Sequence, residues 1–139
     1  MRIKKCIIFD FAGTLVKMRP ATLLIPLDML QQLSRKYQLG IITGGGRAEV
    51  WNIIKRLGIC AYFPRKMVIT KDDTNLRKPN ARLLAFAMSQ FGVTSAVYVG
   101  DSTKDQQMAK ATHMLFYRIG NKESIGQIAA SLVSSRSKT

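Results

Sequence analysis

Acidic side chains are scarce in this chain of 139 residues: eight Asp and Glu stand against 22 Lys and Arg, a formal net charge of +14. That excess leaves three readings open: a nucleic-acid partner, an anionic substrate, or a solvated basic surface. The cations are spread from Lys4 and Lys5 through Arg35, Lys55 and Arg65 to Lys78, so the charge forms no basic arm. Aromatic residues are not interleaved with the basic ones, so direct stacking on bases is not indicated. Cysteine is limited to Cys6 and Cys60, which make neither a disulfide framework nor a CxxC motif; both are expected to pack as small hydrophobes. One histidine, His113, stands alone at the expected start of a strand and is given no catalytic role. Long apolar runs are missing too, and a membrane span needs about 18 to 20 such residues. The run after "MRIKK" ends on Asp10, which ends a signal-peptide reading, so a cytoplasmic protein with no membrane partner is expected.

What is present is an alternation of short β-rich runs with longer stretches of helical period, the pattern of a parallel sheet covered by helices. Strands are expected at "KKCIIFDF", "QLGIIT", "MVIT", "SAVYVG" and "HMLFYRI". Helices are expected at "PLDMLQQLSRKY", "RAEVWNIIKRLG", "NARLLAFAMSQFG", "TKDQQMAKAT" and "ESIGQIAASLV", with Gly58 and Gly92 as stops. One domain over 1–133 is expected, with a polar, frayed tail over 134–139.

In an open parallel sheet, ligands bind where the carboxyl ends of the strands meet their loops. Four strand ends carry groups suited to phosphate or metal chemistry. "CIIFD" delivers Asp10, "GIIT" delivers Thr43 before Gly44, the loop after "MVIT" delivers Lys78, and "VYVGD" delivers Asp101 with Asp105 one helical turn later. Each has an ordinary structural explanation alone, such as a helix cap or a flexible turn, and the P-loop pattern GxxxxGK[ST] is absent. Asp72 and Asp73, in a polar loop, are expected to face solvent.

Together, "DFAGT", "IIT", "RKP" and "VYVGDSTKD" resemble, in order and placement, the four motifs of the haloacid dehalogenase superfamily. The resemblance implies a Rossmann-like three-layer fold, with a mainly parallel central sheet. It implies Asp10 as nucleophile, Thr43, Gly44 and Lys78 holding the transferred phosphoryl group, and Mg²⁺ bound by Asp10, the Ala12 backbone carbonyl, Asp101 and Asp105. Side-chain chemistry agrees: a carboxylate attacks an anionic phosphate only where a cation and fixed donors offset their repulsion.

The departure from the family is Ala12, where its phosphatases carry a second aspartate as general acid. A methyl group transfers no proton, and that help is worth on the order of 10² to 10⁴ in rate. The "DFAGT" motif looks like that of phosphonoacetaldehyde hydrolases, which form a Schiff base through a lysine in a helical cap. Here the intervals from Asp10 to Thr43 and from Thr43 to Lys78 are filled by expected core elements, so no cap is expected; Lys17 could approach only from a short flap. The resemblance to capless members implies an open site, covered by a large substrate or closed by a homo-oligomer. Three functions are carried forward: a Mg²⁺-dependent phosphohydrolase acting through an aspartyl phosphate, a catalytically impaired phosphate-binding module, and a phosphatase acting on a nucleic-acid end.

Overall fold

Along each central strand successive side chains point to opposite faces, and here both faces are apolar, so the sheet has to be covered twice. In β1 (Lys5–Phe9), Ile7 and Phe9 enter one core, while Cys6 and Ile8 enter another. The computed structural model describes residues 5–119 and 125–134. Five strands pair in parallel in the order β5-β4-β1-β6-β7, with β4 at Tyr37–Ile42, β5 at Val68–Ile69, β6 at Ala96–Gly100 and β7 at Leu115–Arg118. A small antiparallel hairpin, β2 (Val16–Lys17) and β3 (Thr22–Leu23), stands apart from the sheet.

The helices cover the two faces by the same logic. The core of Ile7, Phe9, Leu39, Ile41 and Val99 takes Leu30 and Leu33 from α1 (Leu27–Lys36). It also takes Val50, Ile53 and Ile54 from α2 (Arg47–Arg56), and Ile128 and Leu132 from α5 (Ile125–Ser134). The opposite core of Cys6, Ile8, Ile42, Ile69 and Tyr98 takes Leu83, Leu84, Ala87 and Phe91 from α3 (Ala81–Phe91), with Met108 and Ala109 from α4 (Thr103–Ala111). The result is the three-layer α/β arrangement expected. Helix ends follow from local chemistry: the Asn80 side chain accepts from Arg82 N at 2.9 Å, and Gly92 at φ 72° closes α3.

Several details differ from the pattern of the sequence. β1 stops at Phe9, so Asp10 stands just beyond the strand, its N–H donating to the Val99 carbonyl at 2.9 Å. The β2–β3 hairpin and two 3-10 turns, Cys60–Tyr62 and Arg65–Met67, are too short to leave a periodic signal. Cys60 is exposed in the first of these turns rather than packed, while Cys6 is buried as expected. His113 lies in the turn before β7, at φ 57°, and is exposed. Of the tail expected over 134–139, Ser134 is instead the last residue of α5, and 135–139 lie outside the described residues, as do 1–4 with Lys4.

Between Asp10 and Thr43 the chain forms the hairpin, α1 and β4, and between Thr43 and Lys78 it forms α2, the two 3-10 turns and β5. Among the described residues, no helix is long and apolar enough to cross a membrane.

Candidate active site

Parallel strands align their carboxyl ends along one edge, and there the structure gathers Asp10, Thr43, Lys78, Asp101 and Asp105. Lys78 is the pivot. Its Nζ lies 2.7 Å from Asp10 Oδ1 and 2.8 Å from Asp105 Oδ1, with the Lys78 and Asp10 side chains only 15% and 14% exposed. These charges are thus mostly withdrawn from solvent while still reachable from it. The aromatic ring of Tyr98 lies under the ammonium, 5.8 Å from its centroid.

Asp105 was expected to assist a metal, and the structure shows it first as the strut of Lys78. It is fully buried, accepts from Lys78, from the Tyr98 hydroxyl and from Ser102 Oγ at 2.8 Å, and its N–H donates back to Ser102 Oγ at 3.1 Å. Ser102 and Asp105 thereby form the capping box of α4. Burial pushes the Asp105 carboxyl up, but the charge and hydrogen bond of Lys78, with the Tyr98 and Ser102 donors, outweigh it and hold the group below its ordinary range. A Cβ at Gly100 would come within 2.6 Å of Asp105 Oδ2, so only glycine ends β6 with this carboxylate beside it.

Asp10 is shifted the other way, up to about 7: burial dominates, Lys78 opposes it, and the nearby Asp105 and Asp101 carboxyls add to it. Asp101 lies close to Asp10, and two ionised carboxylates side by side repel each other unless a proton or a cation comes between them. Asp10, Asp101 and Asp105 each offer an oxygen, and the three oxygens lie within 4.8 Å of one another. The loop after β1 completes this cradle. Phe11 and Val16 carbonyls accept the hydrogen bonds that close it, from the amides of Thr14, Leu15, Val16 and Gly13, and Ala12 is exposed beside them. Gly13 has φ +87°, and a Cβ there would lie 2.2 Å from Asp101 Oδ2. The donor set fits a hard divalent cation such as Mg²⁺, which binds one or two carboxylates and keeps several waters. Gly13→Ala is accordingly expected to displace Asp101 and weaken Mg²⁺ affinity at least about tenfold, read by calorimetric titration; unchanged affinity would remove Asp101 from the ligand set.

On the other side of Lys78, Thr43 is nearly buried, and its Oγ1 accepts from Gly45 N at 3.1 Å, which leaves its hydroxyl proton to be donated. Gly44 is exposed next to it. The loop 70–78 is fastened by a set of contacts that centres on Asp73, which was expected to face solvent. Asp73 Oδ2 accepts from Thr70 N and Oγ1, both at 2.7 Å, and Oδ1 pairs with Arg47 at 2.7 Å. Burial works against the Asp73 charge, but Arg47 and Thr70 outweigh it and hold the group below its ordinary value. Asp72 is exposed, yet it accepts from Arg47 N at 2.7 Å. The loop walls a cavity of about 380 Å³ whose lining includes Thr43, Gly44, Lys71, Leu76, Lys78 and Lys104.

Of the residues expected at the site, Asp10, Asp101 and Asp105 thus lie together with Lys78 bridging two of them, Thr43 and Gly44 share the cavity wall with Lys78, and Ala12 lies in the loop after β1. Lys17 lies exposed on β2, paired with Thr22, and is not part of the cavity lining. Tyr98, Ser102, Arg47, Asp73, Lys71 and Lys104 were not foreseen. The serine was legible as a capping box with Asp105, Tyr98 reads as core within β6, and the others become visible only when distant loops meet.

The sequence profile described as haloacid dehalogenase-like hydrolase matches residues 26–119. The chain is 35% identical over 85 residues to a glyceraldehyde 3-phosphate phosphatase of Methanocaldococcus jannaschii, covering 59% of this chain and 36% of that protein. It is 36% identical over 86 residues to the pyrophosphatase PpaX of Bacillus velezensis, covering 60% of this chain and 38% of that one. This chain thus spans well under half the length of these curated relatives. In fold it is similar to a crystal structure of a HAD phosphatase from Thermococcus onnurineus, with a TM-score of 0.75 at 20% identity, covering 85% of this chain and 87% of that one.

Proposed function

Since the chain belongs to the haloacid dehalogenase-like hydrolase family, we propose that it is a Mg²⁺-dependent phosphohydrolase in which Asp10 accepts the phosphoryl group as an aspartyl phosphate. The observation that carries this reading is Lys78, held between Asp10 and Asp105 at 2.7 and 2.8 Å beside a cavity that Thr43 also lines. That geometry supports three actions. Lys78 offsets the charge of an incoming phosphoryl group where the carboxylates alone would repel it, and Thr43 offers a hydroxyl donor to the same group. Asp10 presents an oxygen as nucleophile; burial raises its carboxyl, and the Lys78 charge, with a cation when one is bound, favours the ionised form that attacks. Mg²⁺, when bound by Asp10 and Asp101 with Asp105 near and the Ala12 carbonyl as a further donor, would neutralise the charge shared by carboxylate and phosphoryl oxygens. Similarity to two relatives, a glyceraldehyde 3-phosphate phosphatase and a pyrophosphatase, supports phosphoryl transfer to water.

Ala12 limits the substrates. With no side-chain acid at that position, the reading favours leaving groups that depart without a proton, and water completes hydrolysis of the aspartyl phosphate. The intervals flanking Thr43 hold the β2–β3 hairpin, α1 and β4 on one side and α2, two 3-10 turns and β5 on the other, which supports a site open to large substrates or closed by a second copy.

The test is phosphate release from a panel of esters, anhydrides and phosphonates with and without Mg²⁺, together with trapping of a hydroxylamine-labile phosphoprotein. Turnover with label on Asp10 supports the reading; a panel without turnover or label points instead to a phosphate-binding module. Ala12→Asp is expected to raise kcat for alkyl phosphates by about 10²-fold or more, while aryl phosphates gain little. An equal gain for both classes would show that position 12 is not aimed at the leaving group.

A further inference from the structure

The cavity beside Lys78 carries more positive charge than one phosphoryl group calls for, since Lys71, Arg77 and Lys104 line it as well. These cations differ in what they already hold. Lys78 is paired with Asp10 and Asp105. The Arg77 guanidinium donates to the carbonyls of Thr74, Leu76 and Lys71 at 2.7, 2.8 and 3.3 Å, so it fastens the loop rather than facing a ligand. Among the described residues, the Lys71 and Lys104 ammonium groups have no hydrogen-bond or ion-pair partner. Two unpaired cations on the wall of a concave site raise the local concentration of anions and favour a ligand with negative charge beyond the group being transferred. The remaining wall is mixed: Ile69, Leu76 and Leu83 give it an apolar part, beside Thr43, Thr70 and Thr74.

The second observation is independent of the first. Position 12 presents a methyl group, so an alkoxide leaving group would depart with no side-chain acid from that position to protonate it. A phosphate leaving group has its second ionisation near neutrality and needs no proton to leave. Cations in the pocket and a missing acid beside the nucleophile point to the same chemistry.

We propose that the substrate is a phosphoanhydride, with its terminal phosphoryl group at Asp10 and its second phosphate held by Lys71 and Lys104. This rests on the reading of Asp10 as nucleophile. An Asp10 oxygen forms a bond to the terminal phosphorus as the bridging P–O bond breaks, and the electron pair leaves on the bridging oxygen, which stays with the departing phosphate. Water then attacks the aspartyl phosphate, orthophosphate is released, the Asp10 carboxylate is restored and the proton passes to solvent. Inorganic pyrophosphate and an organic diphosphate share this chemistry, and only the second would use the apolar wall.

The experiment compares kcat/KM, with Mg²⁺, for inorganic pyrophosphate, a nucleoside diphosphate and p-nitrophenyl phosphate, whose leaving group is comparably acidic but has no second phosphate. At least one anhydride is expected to exceed p-nitrophenyl phosphate about tenfold or more. Lys71→Ala and Lys104→Ala are each expected to lower that ratio about tenfold, and Lys104→Arg to keep most of it. A preference for the nucleoside diphosphate over pyrophosphate assigns the apolar wall to an organic group, and the reverse assigns the free anion. Turnover of p-nitrophenyl phosphate with no anhydride preference, or a ratio unmoved in the double lysine variant, overturns the anhydride assignment and leaves the phosphohydrolase reading standing. Should nothing turn over, that reading fails and the substrate assignment with it. The second-phosphate site at Lys71 and Lys104 is also read without turnover: calorimetry on Asp10→Asn with Mg²⁺ is expected to show pyrophosphate at least about tenfold tighter than orthophosphate. Equal affinities overturn it.

Discussion

Asp10→Asn is expected to lower kcat/KM by at least about 10⁴-fold and to abolish phosphoprotein formation, because a carboxamide does not replace the attacking oxygen. The same substitution is expected to stabilise the metal-free fold at alkaline pH. Asp10 has its folded pKa raised from 3.8 to about 7, chiefly by burial. The folded state therefore binds this proton more tightly than the unfolded chain does. The stability that follows is fully present below the unfolded value near 4 and is lost as pH rises through about 7. Asn has no proton to lose, so with chelator present the variant is expected to melt above the wild type at pH 8, the difference narrowing toward pH 5. Added Mg²⁺ is expected to raise the wild-type melting temperature more than that of the variant, since it binds the charge that destabilises. Thermal melts across pH, with and without the metal, read both signs, and retained turnover in the variant would falsify the assignment of Asp10.

Lys78→Met is the second large effect, and here activity and stability fall together. The substitution removes the cation 2.7 Å from Asp10 and 2.8 Å from Asp105, leaving two carboxylates facing each other with the third nearby. Breaking a largely buried pair by deleting one partner costs about 3–5 kcal/mol, most of it the cost of the orphaned charge. Loss of the fixed charge at the phosphoryl group is expected to lower kcat by roughly 10³-fold. The paired variant Lys78→Met with Asp105→Asn separates the two: stability is expected to recover in part, because one orphaned charge is gone, while activity stays low. Melting and turnover measured on the same preparations decide it, and recovery of both would make Lys78 a structural rather than a phosphate-binding cation.

The contrast between Asp10 and Asp73 shows how far the residues alone could be read. Asp10 was legible because a strand period and a following small-residue loop converge on it, and a parallel sheet brings every such strand end to one edge. Thr43, Lys78 and Asp101 follow by the same rule. Asp73 was misread because nothing local marks its partner: Arg47 begins a helix far away in the chain, and the two meet only when the loops after β4 and β5 lie side by side. Tyr98 was hidden differently. In the apolar run of β6 its ring reads as core, which it is, but its hydroxyl reaches Asp105 and its face lies under Lys78. The hairpin at Val16–Leu23 was missed as an element because two-residue strands have no period to detect.

The two cysteines differ in a way that has a practical use. Burial pushes the Cys6 thiol up to about 12, so it stays protonated and unreactive at ordinary pH, whereas Cys60 is exposed. Cys60 follows the far end of α2, a helix of ten residues and about 15 Å whose first residue, Arg47, holds the wall of the cavity through Asp73. A maleimide dye should therefore attach once per chain without mutagenesis, at the end of α2 remote from the chemistry. The native chain thus carries its own reporter position for following how the cavity wall responds when a phosphorylated ligand arrives.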